Sequence, residues 1–281
     1  MKITFLGGGN MANALIGGLL KQGFPVADIR VVEPLAENRE RLAGAFGVAC
    51  LPAADASVLE SDVLVLSIKP QQMREALAPI AGKLTRQLVI SIAAGMRLTD
   101  ISRWLGGYSQ LVRTMPNTPA LIGAGITGLF ADQSVDAEGR RRAELVLGAV
   151  GKTLWVAEEG MMDAVTAVSG SGPAYVFHFI EALRDAALAL GFSEEQARLL
   201  AIETVVGAAA LAADSTEDVT VLRQRVTSKG GTTEAALLSF NAHGIAALNS
   251  LNTDDFKAAI LRAVRAADAR GRELGGLLGK D

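Results

Sequence analysis

The chain has one cysteine, Cys50, and two histidines, His178 and His243, in 281 residues. A lone cysteine excludes an intrachain disulfide and a cysteine-rich zinc site, and it suits a reducing compartment. So few histidines leave no ligand cluster for a metal and no His, Asp and Ser arranged as a hydrolase triad. His178 sits in the apolar run Tyr175-Val-Phe-His-Phe-Ile180, where it reads as a satisfied core or interface residue. Positive charge is not in excess: 27 Lys and Arg against 30 Asp and Glu give a net charge of -3 and a pI near 5.6. That balance supplies no basic field for nucleic acid or for an anionic membrane surface. No uncharged apolar span reaches the ~20 residues a membrane helix needs. The N-terminus shows no charged region leading into an apolar stretch and cleavage site. The expectation is a soluble cytoplasmic protein with a small-molecule partner and no metal.

Hydrophobic residues make up 50% of the sequence, enough for a sizeable core in a chain long enough for two domains. From Met1 to about Val156, short β-branched runs alternate with helical patterns, the signature of a parallel sheet covered on both faces. Strands are predicted at 3–6, 29–32, 63–68, 88–92, 111–114, 126–130 and 153–156. Helices are predicted at 13–20, 39–46, 73–81, 99–105 and 137–148. After Glu159 the strand runs vanish, and Ala, Leu, Glu and Arg recur at helical spacing. The fold class is therefore α/β, a Rossmann-type sheet domain over residues 1–158 followed by an all-helical domain over 159–281. Helices are predicted there at 161–190, 193–213, 219–225, 232–242 and 253–274. A break is expected near Ser169 to Pro173, where Gly170, Gly172 and Pro173 interrupt the first. The helical half is thin as a free-standing core, which suggests completion by a partner chain.

The N-terminal Lys2-Ile-Thr-Phe-Leu-Gly-Gly-Gly-Asn-Met-Ala12 runs from a strand into glycines spaced Gly7-x-Gly9-x-x-Ala12 and then into a helix. Gly7 allows a tight turn, Gly9 lets the backbone approach a pyrophosphate, and Ala12 packs the helix on the strand. Ligands of such sheets bind beyond the carboxyl ends of the strands. There lie Lys69-Pro70-Gln71, then Ala93-Ala94-Gly95, small enough for a flat ring, and Met115-Pro116-Asn117-Thr118-Pro119, a stiff loop. Lys69 reads either as a phosphate contact or as a solvated strand end. Asn117 reads as a turn residue bonding nearby backbone, and Arg113, in an apolar run, as half of an ion pair. Glu33 ends the second strand, either as an acceptor for the adenosine ribose hydroxyls or as a solvated loop carboxylate. In the first role it would repel a 2′-phosphate, favouring NADH over NADPH. In the helical half, Ser169-Gly-Ser-Gly-Pro-Ala-Tyr175 and Val226-Thr-Ser-Lys-Gly-Gly-Thr-Thr233 join hydroxyls to glycines beside helix starts. They read either as caps or as a cradle for a small carboxylate.

Gly7-Gly-Gly-Asn-Met-Ala12, Ile68-Lys-Pro-Gln71, Ser91-Ile-Ala-Ala-Gly95, Arg113-Thr-Met-Pro-Asn-Thr-Pro-Ala120, Ser169 to Tyr175 and Ser228-Lys-Gly-Gly-Thr-Thr233 together resemble the pyrroline-5-carboxylate reductase family. The resemblance spans nearly the whole chain. It implies reduction of pyrroline-5-carboxylate to proline, the last step of proline synthesis, with NADPH or NADH. It implies that Gly7, Gly8, Gly9, Asn10, Met11, Ala12, Ser67, Ile68, Lys69, Pro70, Ala93 and Ala94 contact the cofactor. Ser228, Gly230, Gly231, Thr232 and Thr233 would hold the substrate, with Glu159 near the proline site and Thr233 orienting the ring nitrogen or passing its proton. It also implies a homodimer through the helical domain, assembled into a larger ring such as a decamer. The pocket would lie between domains, with the last motif supplied by the partner subunit.

Two departures from the family pattern involve three positions. Lys229 stands where proline is common, and Glu33 and Ala54 stand where NADPH-preferring members offer polar groups. Two other readings are a β-hydroxyacid dehydrogenase, which needs a base for an alcohol, and a non-catalytic NAD(P) sensor, which needs no carboxylate cradle.

Overall fold

The computed structural model describes residues 1–242 and 255–279. His243 and the predicted helix start at Thr253 lie outside the described residues. Contacts divide the chain into two compact units, one made of Met1–Pro173 with the segment from Ala267 onward, the other of Ala174–Ala266. The division falls later than residue 158 because the first turns beyond it pack on the sheet.

The first unit holds an eight-stranded sheet of β1 (Ile3–Leu6), β2 (Ile29–Val32), β3 (Ala49–Leu51), β4 (Val63–Leu66), β5 (Leu88–Ser91), β6 (Leu111–Met115), β7 (Gly125–Ala131) and β8 (Gly151–Trp155). Their spatial order is β3-β2-β1-β4-β5-β6-β7-β8. Helices α1 (Asn10–Lys21), α2 (Ala36–Phe46), α3 (Met73–Leu77), α4 (Leu98–Trp104) and α5 (Ala137–Gly148) cover it. Alternate residues of a strand point to opposite faces, so a sheet covered on both sides needs apolar residues at nearly every strand position. In β4, Val63 and Val65 join Ile3, Phe5, Leu15 and Leu19 in one core, while Leu64 and Leu66 join Met73, Leu77 and Ile101 in the other. Each such side chain contributes roughly 1.5–3 kcal/mol on burial.

The all-parallel expectation needs one correction: β7 runs antiparallel to β6. The connection at residues 116–124 is a loop with one short 3₁₀ turn, too short for the crossover that a parallel neighbour requires. Helix α5 provides that crossover next, and β8 returns parallel to β7. Strand β3 was missed, because its three residues Ala49-Cys50-Leu51 at the sheet edge make a run too short and too poor in β-branched residues to stand out as a strand.

The predicted break near Ser169 is a π-helical turn, Thr166–Gly170, between α6 (Met161–Val165) and α7 (Gly172–Ala189). The second unit continues with α8 (Glu194–Asp214), α9 (Val219–Arg225), α10 (Thr232–Ala242) and the start of α11 (Asp255–Leu278). Ser193 and Gln196 form a reciprocal capping box on α8, which satisfies two of the N–H groups a helix start leaves unpaired. Helix α8 is long and apolar enough by length and composition to cross a membrane, although Glu194, Glu195, Arg198 and Glu203 lie on it. Phe177, Leu199, Val206 and Leu211 are exposed in the single chain. So is His178, whose side chain is 87% exposed and pairs with Glu181; a core position within its own chain is thereby excluded.

Candidate active site

The turn after β1 is built for close backbone approach. Gly7 has φ +100°, and a Cβ there would lie 2.4 Å from the Ser67 carbonyl oxygen, so only glycine fits. The Ser67 hydroxyl lies 2.7 Å from the Gly7 carbonyl and donates to it, which fixes the turn against the end of β4. Gly9, the N-cap of α1, has no side-chain cap on the helix. A Cβ at Gly9 would meet nothing within 4 Å. Unpaired N–H groups, the positive end of the helix dipole and open space above Gly9 suit a pyrophosphate. Behind the turn, Ala12 is fully buried. The residues present therefore fit a dinucleotide.

Glu33 is 7% exposed, not a solvated loop carboxylate. Its Oε2 accepts the Gly8 N–H at 2.8 Å and its Oε1 accepts the Leu35 N–H at 3.0 Å. Two arginines surround the same loop. Arg39 donates to the Glu33 and Pro34 carbonyls at 2.8 and 2.6 Å, and Arg41 reaches the Gly8 carbonyl and the Asn13 side chain at 3.1 and 2.9 Å. The pattern at the end of β2 thus combines one carboxylate with two guanidinium groups, neither of which sequence reasoning singled out.

At the next strand ends, Lys69 is exposed and Pro70 opens a short 3₁₀ turn, while Ile68 packs on the core at its edge. Beyond β5, Ala93 is buried and Ala94 exposed; Gly95 adopts φ +76°, with Leu278 and Gly275 of α11 against it. This loop is held from below by a charge network. Arg113, 2% exposed, pairs with Asp163 at 2.9 Å and with Glu159 at 3.3 Å. Arg97 pairs with the other oxygen of Asp163 at 3.0 Å, and Glu159 Oε1 accepts the Leu98 N–H at the start of α4 at 2.8 Å. Two guanidinium groups face two carboxylates, so the buried charges are compensated. Asp163 was missed; it lies in the first turn of α6, whereas Glu159 belongs to the turn that precedes the helix, so no helical spacing links the two acids in the sequence.

The loop after β6 brings Asn117 against backbone on both sides: Oδ1 accepts the Ile126 N–H at 2.9 Å, and Nδ2 donates to the Ser169 carbonyl at 3.1 Å. In the second unit, Ser228 to Gly231 form a tight turn in which the Gly231 N–H donates to the Ser228 carbonyl at 3.0 Å. Gly230 has φ +74°, and its N–H donates to Glu234 at 2.7 Å. Thr232 and Thr233 open α10, Thr233 half-buried and Ser228 and Lys229 exposed.

Comparison with known proteins bears on both halves of the chain. The pyrroline-5-carboxylate reductase dimerisation family model matches residues 159–274, and the model described as NADP oxidoreductase, coenzyme F420-dependent, matches residues 2–95. The pyrroline-5-carboxylate reductase of Pseudomonas aeruginosa is 45% identical, covering 99% of this chain and 98% of its own. That of Haemophilus influenzae is 40% identical, covering 97% of both. Among solved structures, the reductase of Coxiella burnetii superposes with a TM-score of 0.88 at 39% identity, over 97% of this chain and 98% of its own. The Plasmodium falciparum enzyme, solved with NADP bound, gives 0.83 at 27% identity, over 98% of both.

Proposed function

This chain belongs to the pyrroline-5-carboxylate reductase family, and from that premise we propose that it reduces pyrroline-5-carboxylate to proline with NAD(P)H in the cytoplasm. The observation that carries the reading is the pairing, in one chain, of the open glycine turn at Gly7 to Ala12 with the Ser228 to Thr233 turn at the head of α10. Production of proline coupled to cofactor oxidation tests it.

A bound nicotinamide supplies a hydride to C5 of the cyclic imine. The chain's own residues have the work of holding and aligning. Gly7 to Ala12 cradle the pyrophosphate, and Glu33 stands beside the adenosine ribose. Ser67 to Pro70 border the phosphates, and Ala93 and Ala94 leave room for the nicotinamide ring. The Ser228 hydroxyl and the Thr232 backbone N–H hold the substrate carboxylate, with Lys229 adding positive charge, while the Gly230 and Gly231 N–H groups shape the turn through Glu234 and the Ser228 carbonyl. Thr233 orients the ring nitrogen or passes its proton. Glu159 enters this scheme with Oε1 committed to Leu98 and Arg113. Protonation makes C5 more electrophilic, so alignment supplies most of what is needed, on the order of 7 to 11 kcal/mol in favourable cases.

The cofactor preference turns on Glu33 against Arg39 and Arg41. A 2′-phosphate meets a like charge at Glu33, which supports use of NADH; the two arginines support continued use of NADPH. The exposed apolar residues of α7 and α8 support a homodimer through the helical domain, and assembly into a ring such as a decamer is proposed on the family resemblance.

A further inference from the structure

In an α-helix the carbonyl of Ser169 would accept the N–H of residue 173, but residue 173 is proline. Proline has no N–H, and its ring crowds the carbonyl four residues earlier. The chain answers by widening: the Ser171 N–H donates to the Thr166 carbonyl at 2.8 Å, an i to i+5 bond that closes the π-helical turn. Widening relieves the crowding but leaves the Ser169 carbonyl without its helical donor. Asn117, from the loop after β6, supplies that donor at 3.1 Å.

The geometry around this bond is tight. Asn117 is 9% exposed, and its amide orientation is fixed at the other end by the Ile126 N–H. A Cβ on Gly170 would come within 2.7 Å of Met115, so the turn lies directly on the end of β6. Strand β6 pairs with β5, Ser91 opposite Arg113, and β5 leads into Ala93 and Ala94, the proposed nicotinamide edge. Loop 118–122 packs on α1, the helix that begins at the glycine turn.

We propose that Asn117 is a positioning residue for the reduction: by replacing the hydrogen bond that Pro173 removes, it holds Ser169 to Ser171 in register with the ends of β5 and β6. The inference rests on the reductase reading for its activity readout. The variants are Asn117→Ala and Asn117→Ala/Pro173→Ala, the second of which restores a backbone donor for Ser169 and lets the turn relax to an ordinary α-helix.

Asn117→Ala lowers Tm and lowers kcat roughly 10- to 100-fold, the scale of a misalignment near 1 Å, while the Kd for NADPH, measured by fluorescence titration, is unchanged. The double variant regains the wild-type Tm and not the wild-type kcat. Recovery of both would reduce Asn117 to a structural role and overturn the proposal, as would a kcat within twofold of wild type in Asn117→Ala. Should Asn117→Ala not fold, the double variant decides alone by the same criterion. If the wild-type chain does not reduce pyrroline-5-carboxylate, the reductase reading fails instead, and the coupling of Asn117 to Pro173 is still read from the Tm pattern.

Discussion

Oε2 of Glu33 accepts a 2.8 Å hydrogen bond from the backbone N–H of Gly8, so the acid that ends β2 and the glycine turn that follows β1 form one unit. Replacing Glu33 by Gln keeps the shape and removes the charge facing a 2′-phosphate. The ratio of kcat/KM for NADPH over NADH rises about tenfold in Glu33→Gln, equivalent to ~1.4 kcal/mol for one charge removed at close range in an intermediate dielectric. An unchanged ratio would leave Glu33 as a brace for the turn alone.

The sequence made these two residues visible separately, by position, and could not show that they touch. The same holds elsewhere. The burial of 63–66 on both faces was written in an unbroken apolar run, whereas the direction of β7 depended on how far a loop reaches. Arg113 had to have a partner because a lone charge in an apolar strand is too costly, yet Asp163, fifty residues later, was identified only by the fold. Asn117 was expected to bond nearby backbone; its partners are backbone, but Ser169 is distant in sequence. Pro173 held the clue, since a proline removes a known donor from a known carbonyl.

Asp163 is as buried as Arg113, and both exceed nine-tenths burial. Removing one partner of such a pair typically costs 3–5 kcal/mol, because the other charge stays buried. Asp163→Asn therefore loses about 3 kcal/mol or more of stability in urea denaturation followed by the fluorescence of Trp104 and Trp155. A loss below about 1 kcal/mol would mean that the network is hydrated or repacks.

Asp62 supplies a pH dependence. Burial alone would raise its pKa, but the Lys2 N–H and the Arg86 guanidinium, at 2.8 and 2.7 Å, outweigh it and hold the carboxyl below its ordinary range. A depressed folded-state pKa gives stability that is present above the unfolded value of ~3.9 and is lost as pH falls through the folded value. The stability gap between wild type and Asp62→Asn is widest at neutral pH and shrinks below about pH 4. A gap that stays constant with pH would exclude this ionisation as its source.

Exposed Phe177, Leu199 and Leu211 predict self-association through the helices matched by the dimerisation family model. Light scattering at micromolar concentration gives a dimer or a multiple of it, and charged substitution at Leu199 lowers the mass. A monomer for the unaltered chain would contradict the proposed assembly.

The central claim is tested by a steady-state assay of the purified chain with pyrroline-5-carboxylate and each reduced cofactor, proline being quantified as product. The account predicts one proline formed per NAD(P)H oxidised, and a Thr233→Ala variant that loses most of kcat while binding cofactor as before. Cofactor binding without turnover in the unaltered chain would contradict it and identify a nucleotide-binding protein instead of a reductase.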